Sequence, residues 1–113
     1  MDKSFTADRY LDEVLIIISR HSNSSYAIAI QQVRLLFNNK LNFEITEGYL
    51  DLICRKLEAD KYLIFNHNTR DLILTFDGLY FIQNGGYQKK KKKEYWENYP
   101  KSNWFVYCKS QLN

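Results

Sequence analysis

The residues that most constrain this chain lie between positions 45 and 75, where two hydrophobic patterns follow each other directly. In the first pattern, four apolar side chains recur at helical spacing, which places them on one face of a helix. They are Leu50, Ile53, Cys54 and Leu57. In the second, the β-prone segments 62–65 and 71–74 flank Asn66-His-Asn-Thr-Arg, whose residues tolerate turn conformations. The sequence therefore predicts a helix capped by Thr46, followed directly by a tight β-hairpin.

Two more helices are predicted before this stretch. The first covers residues 5–20, and its acidic residues lie in the N-terminal half, as the helix dipole favours. Its core face carries Leu11, Val14, Leu15 and Ile18. A polar break at residues 22–25 separates it from a second helix, which we expect from residue 26 to about residue 38. Ser24 or Ser25 can cap this second helix.

A fourth helix is predicted after the hairpin. Thr75 can cap its start, and Gly85-Gly86 is expected to end it. The composition then shifts to five consecutive lysines followed by aromatic residues. We therefore divide the chain into a folded domain, residues 1–87, and a basic, aromatic C-terminal extension, residues 88–113.

Length and charge limit the functions that the chain can serve. At 113 residues it is expected to form one domain around one core. Its formal net charge is +3, and the five lysines alone supply more than that, so the rest of the chain is close to neutral. A protein that binds nucleic acid through its overall field is usually more basic.

The sequence also predicts where the protein resides. It contains two cysteines, Cys54 and Cys108, and we expect both to be free thiols in a reducing compartment. The N-terminus has no apolar core of the signal-peptide type. No uncharged apolar run approaches the roughly 18 residues that span a bilayer. These features favour a cytoplasmic protein without an integral membrane segment.

The order of helix, helix, helix, hairpin and helix resembles the winged helix-turn-helix family. Lys56-Leu-Glu-Ala-Asp-Lys-Tyr-Leu-Ile is similar to the joint between that family's third helix and its wing, although Lys61 stands where the family commonly has glycine. Leu74-Thr-x-x-Gly-x-x-Phe-Ile resembles the segment after the wing in regulators of the multiple-antibiotic-resistance and phenolic-acid types. The resemblance implies an α+β fold, with a three-helix core, a two-stranded wing and one or more C-terminal helices.

The same resemblance implies duplex DNA as the partner, since the family's third helix enters the major groove and its wing lies on the backbone. With the apolar stripe inward, Gly48, Leu52, Arg55 and Ala59 are expected to point outward. The candidate DNA contacts are Tyr49, Arg55 and Lys56 on the third helix, His67, Asn68 and Arg70 in the wing, and Lys89, Lys90, Lys91, Lys92 and Lys93 in the extension. The implied protein is a small transcriptional regulator, with a homodimer formed through the extension.

Other readings of these surfaces stay open. Glu47 and Asp51 would be repelled by phosphates, and an exposed Leu52 is unusual on a helix that reads a groove. The alternative is a winged-helix adaptor that binds protein. The lysine run is compatible with a solvated segment, a phosphate-binding arm or a contact with an anionic membrane surface. The aromatic residues after it favour core or dimer contacts over base stacking.

Catalysis and metal binding are not predicted. His21 and His67 lie far apart in the sequence, with no Cys or carboxylate at ligand spacing. Gly85-Gly86 lacks the Lys-Ser/Thr of a phosphate-binding loop. No Ser/His/Asp or Cys/His set can be placed at one site. We expect a binding protein that is not an enzyme and carries no cofactor.

Overall fold

The computed structural model describes residues 3–90, with side chains from residue 7 onward. This part of the chain is an α+β fold in which helices pack against one antiparallel sheet. Its elements are α1 (Lys3–His21), β1 (Ala27–Ala29), α2 (Ile30–Leu41), α3 (Glu47–Ala59), β2 (Leu63–Asn66), β3 (Asp71–Leu74) and α4 (Phe76–Gln83). Residues 86–90 begin a fifth helix, α5. The aromatic part of the extension and Cys108 lie outside the described residues.

The predicted hairpin is confirmed. β2 and β3 pair antiparallel, with Ile64 opposite Ile73 and Asn66 opposite Asp71. The loop between them is held by its own first residue, since the Asn66 carbonyl accepts a hydrogen bond of 2.8 Å from the Arg70 N–H. The Asn66 side-chain oxygen also accepts from the backbone N–H groups of Asn68 and Thr69. The hairpin is therefore closed by a polar turn of defined geometry.

The start of the second helix was predicted wrongly. Residues 27–29 form β1, an edge strand that pairs antiparallel with β3 and gives the sheet the order β1-β3-β2. Tyr26 has a φ of 60°, a left-handed conformation that ends any helix through it. Ser24 and Ser25 cap nothing in α2, because its N-cap is Ala29. The sheet is thus three-stranded, because β1 pairs with the free side of the hairpin.

The core lies between α1, the inner face of the sheet and α3. The predicted inward residues of α1 and α3 are buried, which confirms both helical faces. The fully buried side chains include Val14, Leu15, Ile18, Phe37, Leu50, Cys54, Leu57, Leu63 and Leu72. Burial raises the pKa of the Cys54 thiol to about 12, with a smaller contribution from the Asp51 charge. Cys54 therefore stays protonated and packs as a small apolar side chain.

Both predicted threonine caps are present. Thr46 accepts a hydrogen bond from the Tyr49 N–H at the start of α3, and Thr75 accepts one from the Gly78 N–H at the start of α4. The Thr75 hydroxyl also donates to the Lys61 carbonyl at 2.8 Å. Lys61 has a φ of 68°, so this lysine adopts the left-handed conformation that glycine occupies readily.

The C-terminal end of α4 differs from the prediction. The helix ends at Gln83, two residues before the glycine pair. Gly85 and Gly86 have φ values of 105° and 68°, and they redirect the chain into α5. The pair is therefore a connection between two helices. None of the helices within residues 3–90 combines the length and apolar character needed to cross a membrane.

Two glycines give opposite predictions for the free energy of unfolding. A Cβ on Gly78 would lie 2.0 Å from the Tyr62 carbonyl oxygen, whereas a Cβ on Gly48 would meet no atom within 4 Å. We expect Gly78→Ala to destabilise the fold by about 2 kcal/mol or more, because backbone must move. The matched Gly48→Ala, in a helix, should stabilise it by up to about 1 kcal/mol. Urea unfolding followed by circular dichroism measures both, and equal effects would contradict this packing.

Candidate nucleic-acid interface

The outward surface of α3 is the centre of the candidate interface. Burying one stripe of the helix turns Gly48, Leu52, Arg55 and Ala59 to the opposite side, and all four are exposed as predicted. Only Arg55 among them carries a charge, and Gly48 and Ala59 are very small. Arg55 makes no hydrogen bond or ion pair with the residues that the structure describes. Its guanidinium is thus available for an external acceptor.

Arg70 holds the hairpin against one flank of α3. Its Nη2 atom lies 3.1 Å from the Glu47 carboxylate and 3.3 Å from the Asp51 carboxylate. Its guanidinium carbon also lies 5.3 Å from the centre of the Phe65 ring. Arg70 was predicted to be a DNA contact of the wing, and the two acids were expected to be repelled by phosphates. The structure places the three charges together, so they compensate one another in part.

A third acid on the same flank also binds the hairpin. Glu58 accepts a hydrogen bond of 2.9 Å from the Phe65 N–H. This satisfies a backbone donor of β2, which is an edge strand of the sheet. Glu47, Asp51 and Glu58 therefore all serve to join α3 to the hairpin.

The two other candidate residues of the hairpin lie at its tip. His67 stacks on Phe65, with ring centroids 4.3 Å apart and planes 12° apart. Asn68 is fixed through its backbone, and both side chains are exposed. The tip thus presents an imidazole and an amide on a rigid turn, which are groups that can donate hydrogen bonds to phosphate oxygens.

The opposite flank of α3 faces α1 and the start of α5. Lys56 pairs with Oδ2 of Asp60 at 3.2 Å, and the Tyr87 hydroxyl donates to the same oxygen at 2.6 Å. Burial alone would raise the pKa of Asp60, but these two hydrogen bonds and the charges of Lys56 and Lys90 outweigh it, so that pKa lies below its usual range. Lys56 is therefore turned away from the outward surface.

Tyr49 lies near the N-terminal end of the same flank. Its ring packs edge-on against Tyr10 at 6.2 Å, and Tyr10 stacks with Phe43 at 5.8 Å. These contacts join α1, the turn before α3 and α3 itself. Tyr49 nevertheless keeps 43% of its surface exposed, so part of the ring remains accessible to a partner.

The first two lysines of the run are positioned by a buried carboxylate. Asp12, which is only 3% exposed, accepts hydrogen bonds from the backbone N–H groups of Tyr87 and Gln88 at 2.7 and 3.1 Å. Burial raises the pKa of Asp12, although these hydrogen bonds oppose the rise. Lys89 and Lys90 follow directly in α5, and Lys90 lines a groove of about 440 Å³ with Lys56 and Asp60. Lys91, Lys92 and Lys93 lie outside the described residues.

Exposed apolar side chains adjoin the outward surface of α3. Leu52 and Leu35 are each 63% exposed, and Phe43 is 46% exposed. Leu35 and Phe43 line one groove, of about 350 Å³. Leu52 was expected to be exposed, but the exposure of Leu35 was not predicted, because Leu35 directly precedes Leu36 and Phe37 and a run of apolar residues does not show which of them faces outward. We call Leu35, Phe43, Tyr49 and Leu52 the apolar front.

Comparisons with known proteins add no relative. No family model, no curated protein and no solved structure matches the chain. Within residues 3–90, no group of three or more His, Cys, Asp or Glu side chains is arranged to hold a metal ion. The function must therefore be argued from the geometry and charge of the site itself.

The contact between Tyr87 and Asp60 predicts a specific change in acid titration. Because its folded pKa is lowered, Asp60 contributes stability above its unfolded pKa, near 3.9, and loses it as pH falls through the lower folded value. We expect Tyr87→Phe to move the Asp60 midpoint upward, since a hydrogen bond to the carboxylate is removed. Carbon-detected NMR titration of Asp60 measures the midpoint. Tyr80→Phe, on the exposed side of α4, is the matched control and should leave it unchanged.

Proposed function

We propose that the chain is a winged-helix protein that binds duplex DNA, with α3 as the groove helix and the β2–β3 hairpin as the wing. The observation that carries this proposal is the outward surface of α3, where Arg55 has no partner among the described residues and Gly48 and Ala59 add little bulk. The three-helix core and antiparallel sheet are compatible with the winged-helix arrangement. In that arrangement the surface would meet the major groove.

The residue types on this surface suit close approach to base edges. Gly48 and Ala59 add almost no bulk, so the helix backbone can enter the groove deeply. An arginine in the position of Arg55 can donate two hydrogen bonds to guanine. Leu52, between them, offers an apolar contact of the kind that thymine methyl groups make with proteins. The surface can therefore read a few base pairs, with Arg55 as the principal contact.

The wing and the extension supply contacts to the phosphate backbone in this proposal. His67 and Asn68 stand exposed at the wing tip, and Lys89 and Lys90 are exposed in α5. Lys91, Lys92 and Lys93 would add further affinity that does not depend on base sequence. Lys56 and Tyr49 would contact the duplex from the flank of α3 that faces α1. Lys56 lies on that flank because it is paired with Asp60. A regulator of this kind often acts as a dimer, and the homodimer through the extension remains part of the proposal.

Arg55→Gln tests the DNA proposal directly. We expect it to weaken binding to the preferred duplex by about tenfold and to relax the preference for the base that Arg55 contacts. Arg20→Gln, on the exposed end of α1, removes the same charge as a control and should change neither quantity. Fluorescence anisotropy over a salt series, with a random duplex library for selection, gives both numbers. An intact fold without duplex binding at low salt would reject the proposal.

A second function is favoured by the apolar front. All four large side chains of the apolar front are exposed, and Phe43 and Tyr49 are already fixed by ring contacts with Tyr10. Rigid exposed aromatic side chains are typical anchors of protein interfaces. An adaptor would use the apolar front to bind a protein partner, with the acids of α3 at its rim.

A photo-cross-linking residue at position 35 tests the adaptor function in the native cell. Position 35 lies in the apolar front, and position 76, which is 79% exposed on α4, gives a matched exposed control. The adaptor proposal predicts a discrete protein adduct at position 35 and none at position 76. Equal, diffuse labelling from both positions would contradict it.

A further inference from the structure

The wing arginine and two acids of α3 form a charge cluster that the DNA proposal does not use. One guanidinium, Arg70, contacts the carboxylates of both Glu47 and Asp51. We propose that Glu47 and Asp51 are affinity-determining residues of the DNA surface, because they hold Arg70 as their counter-ion and keep it off the phosphate backbone. This inference rests on the proposed DNA function, and it identifies the residues that limit the affinity for duplex DNA.

The position of Arg70 is fixed at its backbone as well as at its side chain. Its N–H donates to the Asn66 carbonyl at 2.8 Å, and its carbonyl accepts from the Ile30 N–H at 2.9 Å. Its φ of 61° is a left-handed conformation that a non-glycine residue adopts only where neighbouring contacts fix it. The side chain therefore leaves the backbone in one direction, toward α3.

The surroundings of the guanidinium favour the same position. The Phe65 ring lies under it at 5.3 Å, and only 38% of the Arg70 side chain is exposed. Asp51 is the more buried of the two acids, with 25% of its side chain exposed. To move away from this flank toward a phosphate, Arg70 would have to give up the two ion pairs of its Nη2 atom and a ring contact at once. A single phosphate offers one such pair in return.

Two consequences follow for the charge at the DNA surface. With Arg70 in place, the three acids of this flank leave two net negative charges, which the phosphate backbone tolerates better than three. Removing the acids would leave Arg70 free to add a phosphate contact. The acids therefore keep affinity low, while Arg70 prevents them from excluding DNA altogether.

A cycle of variants in the full chain tests this inference through the salt slope of duplex binding. In the native background, Arg70→Gln should leave the salt slope nearly unchanged, because it removes no phosphate contact. It should weaken affinity by about threefold, because the two acids lose their counter-ion. The double variant E47Q/D51N should bind more tightly, with a slope steeper by about one charge. Adding Arg70→Gln to that double variant should remove the gain in slope. Arg55→Gln serves as control and should weaken affinity by a similar factor in both backgrounds, since Arg55 is assigned to a base.

Thermal unfolding of the same variants gives a readout that needs no DNA. If the acids hold Arg70 in solution, Arg70→Gln lowers the Tm of the native chain by more than the Tm of E47Q/D51N, in which only the contact with the Phe65 ring is left to lose. Equal Tm losses in the two backgrounds would overturn the inference. So would a fall of about one charge in the salt slope when Arg70→Gln is made in the native background, since Arg70 would then contact phosphate. A native chain that binds no duplex would reject the DNA function itself, which is a distinct result.

Discussion

The burial of one stripe of α3 determines the direction of every candidate contact. Leu50, Cys54 and Leu57 are fully buried, and the helix has no freedom to rotate without exposing them. Because helix geometry then fixes the other positions, Arg55 must face outward, and the two flanks must face the hairpin and α1. The same packing fixes the position of the hairpin, since Leu63 and Leu72 are buried in the same core. The outward surface is thus a consequence of the core, and it requires no strained residue within α3.

The charged side chains on the two flanks of α3 hold this arrangement together. On one flank the acids of α3 bind the hairpin through Arg70 and the Phe65 N–H, and on the other Asp60 joins Lys56 to Tyr87. Exposed pairs of this kind each contribute little free energy, but they decide which charges remain for a partner. Arg55 stands between two flanks whose charges are already paired. That placement explains how the outward surface of α3 can present the guanidinium of Arg55 to a partner although the net charge of the chain is small.

Much of the fold could be predicted from the sequence, because its signals are local. The apolar period of α3, the threonine caps and the polar turn of the hairpin each involve residues within one element. β1 was missed because only three residues form it, and its stability comes from β3, more than forty residues further along the chain. The position of Arg70 could not be predicted for the same reason: its ion pairs span 19 and 23 residues, and the sequence gives no distance between them. The outward direction of Arg55 was predictable, whereas the pairing of its charged neighbours was not.

Gly48 connects the stability of the fold with the proposed use of its surface. Neither a positive φ nor a close neighbour requires glycine there, since an added Cβ meets no atom within 4 Å. In a helix such a glycine lowers stability relative to alanine, so the fold itself gains nothing from it. A partner that approaches the α3 backbone closely would gain, because a side chain at this position would stand between the two surfaces. The stability that glycine loses at position 48 is then explained by the needs of the partner. Binding surfaces commonly depart from the most stable sequence in this way. A duplex groove requires a small residue here more than a protein interface does, because the groove has a wall on each side of the helix.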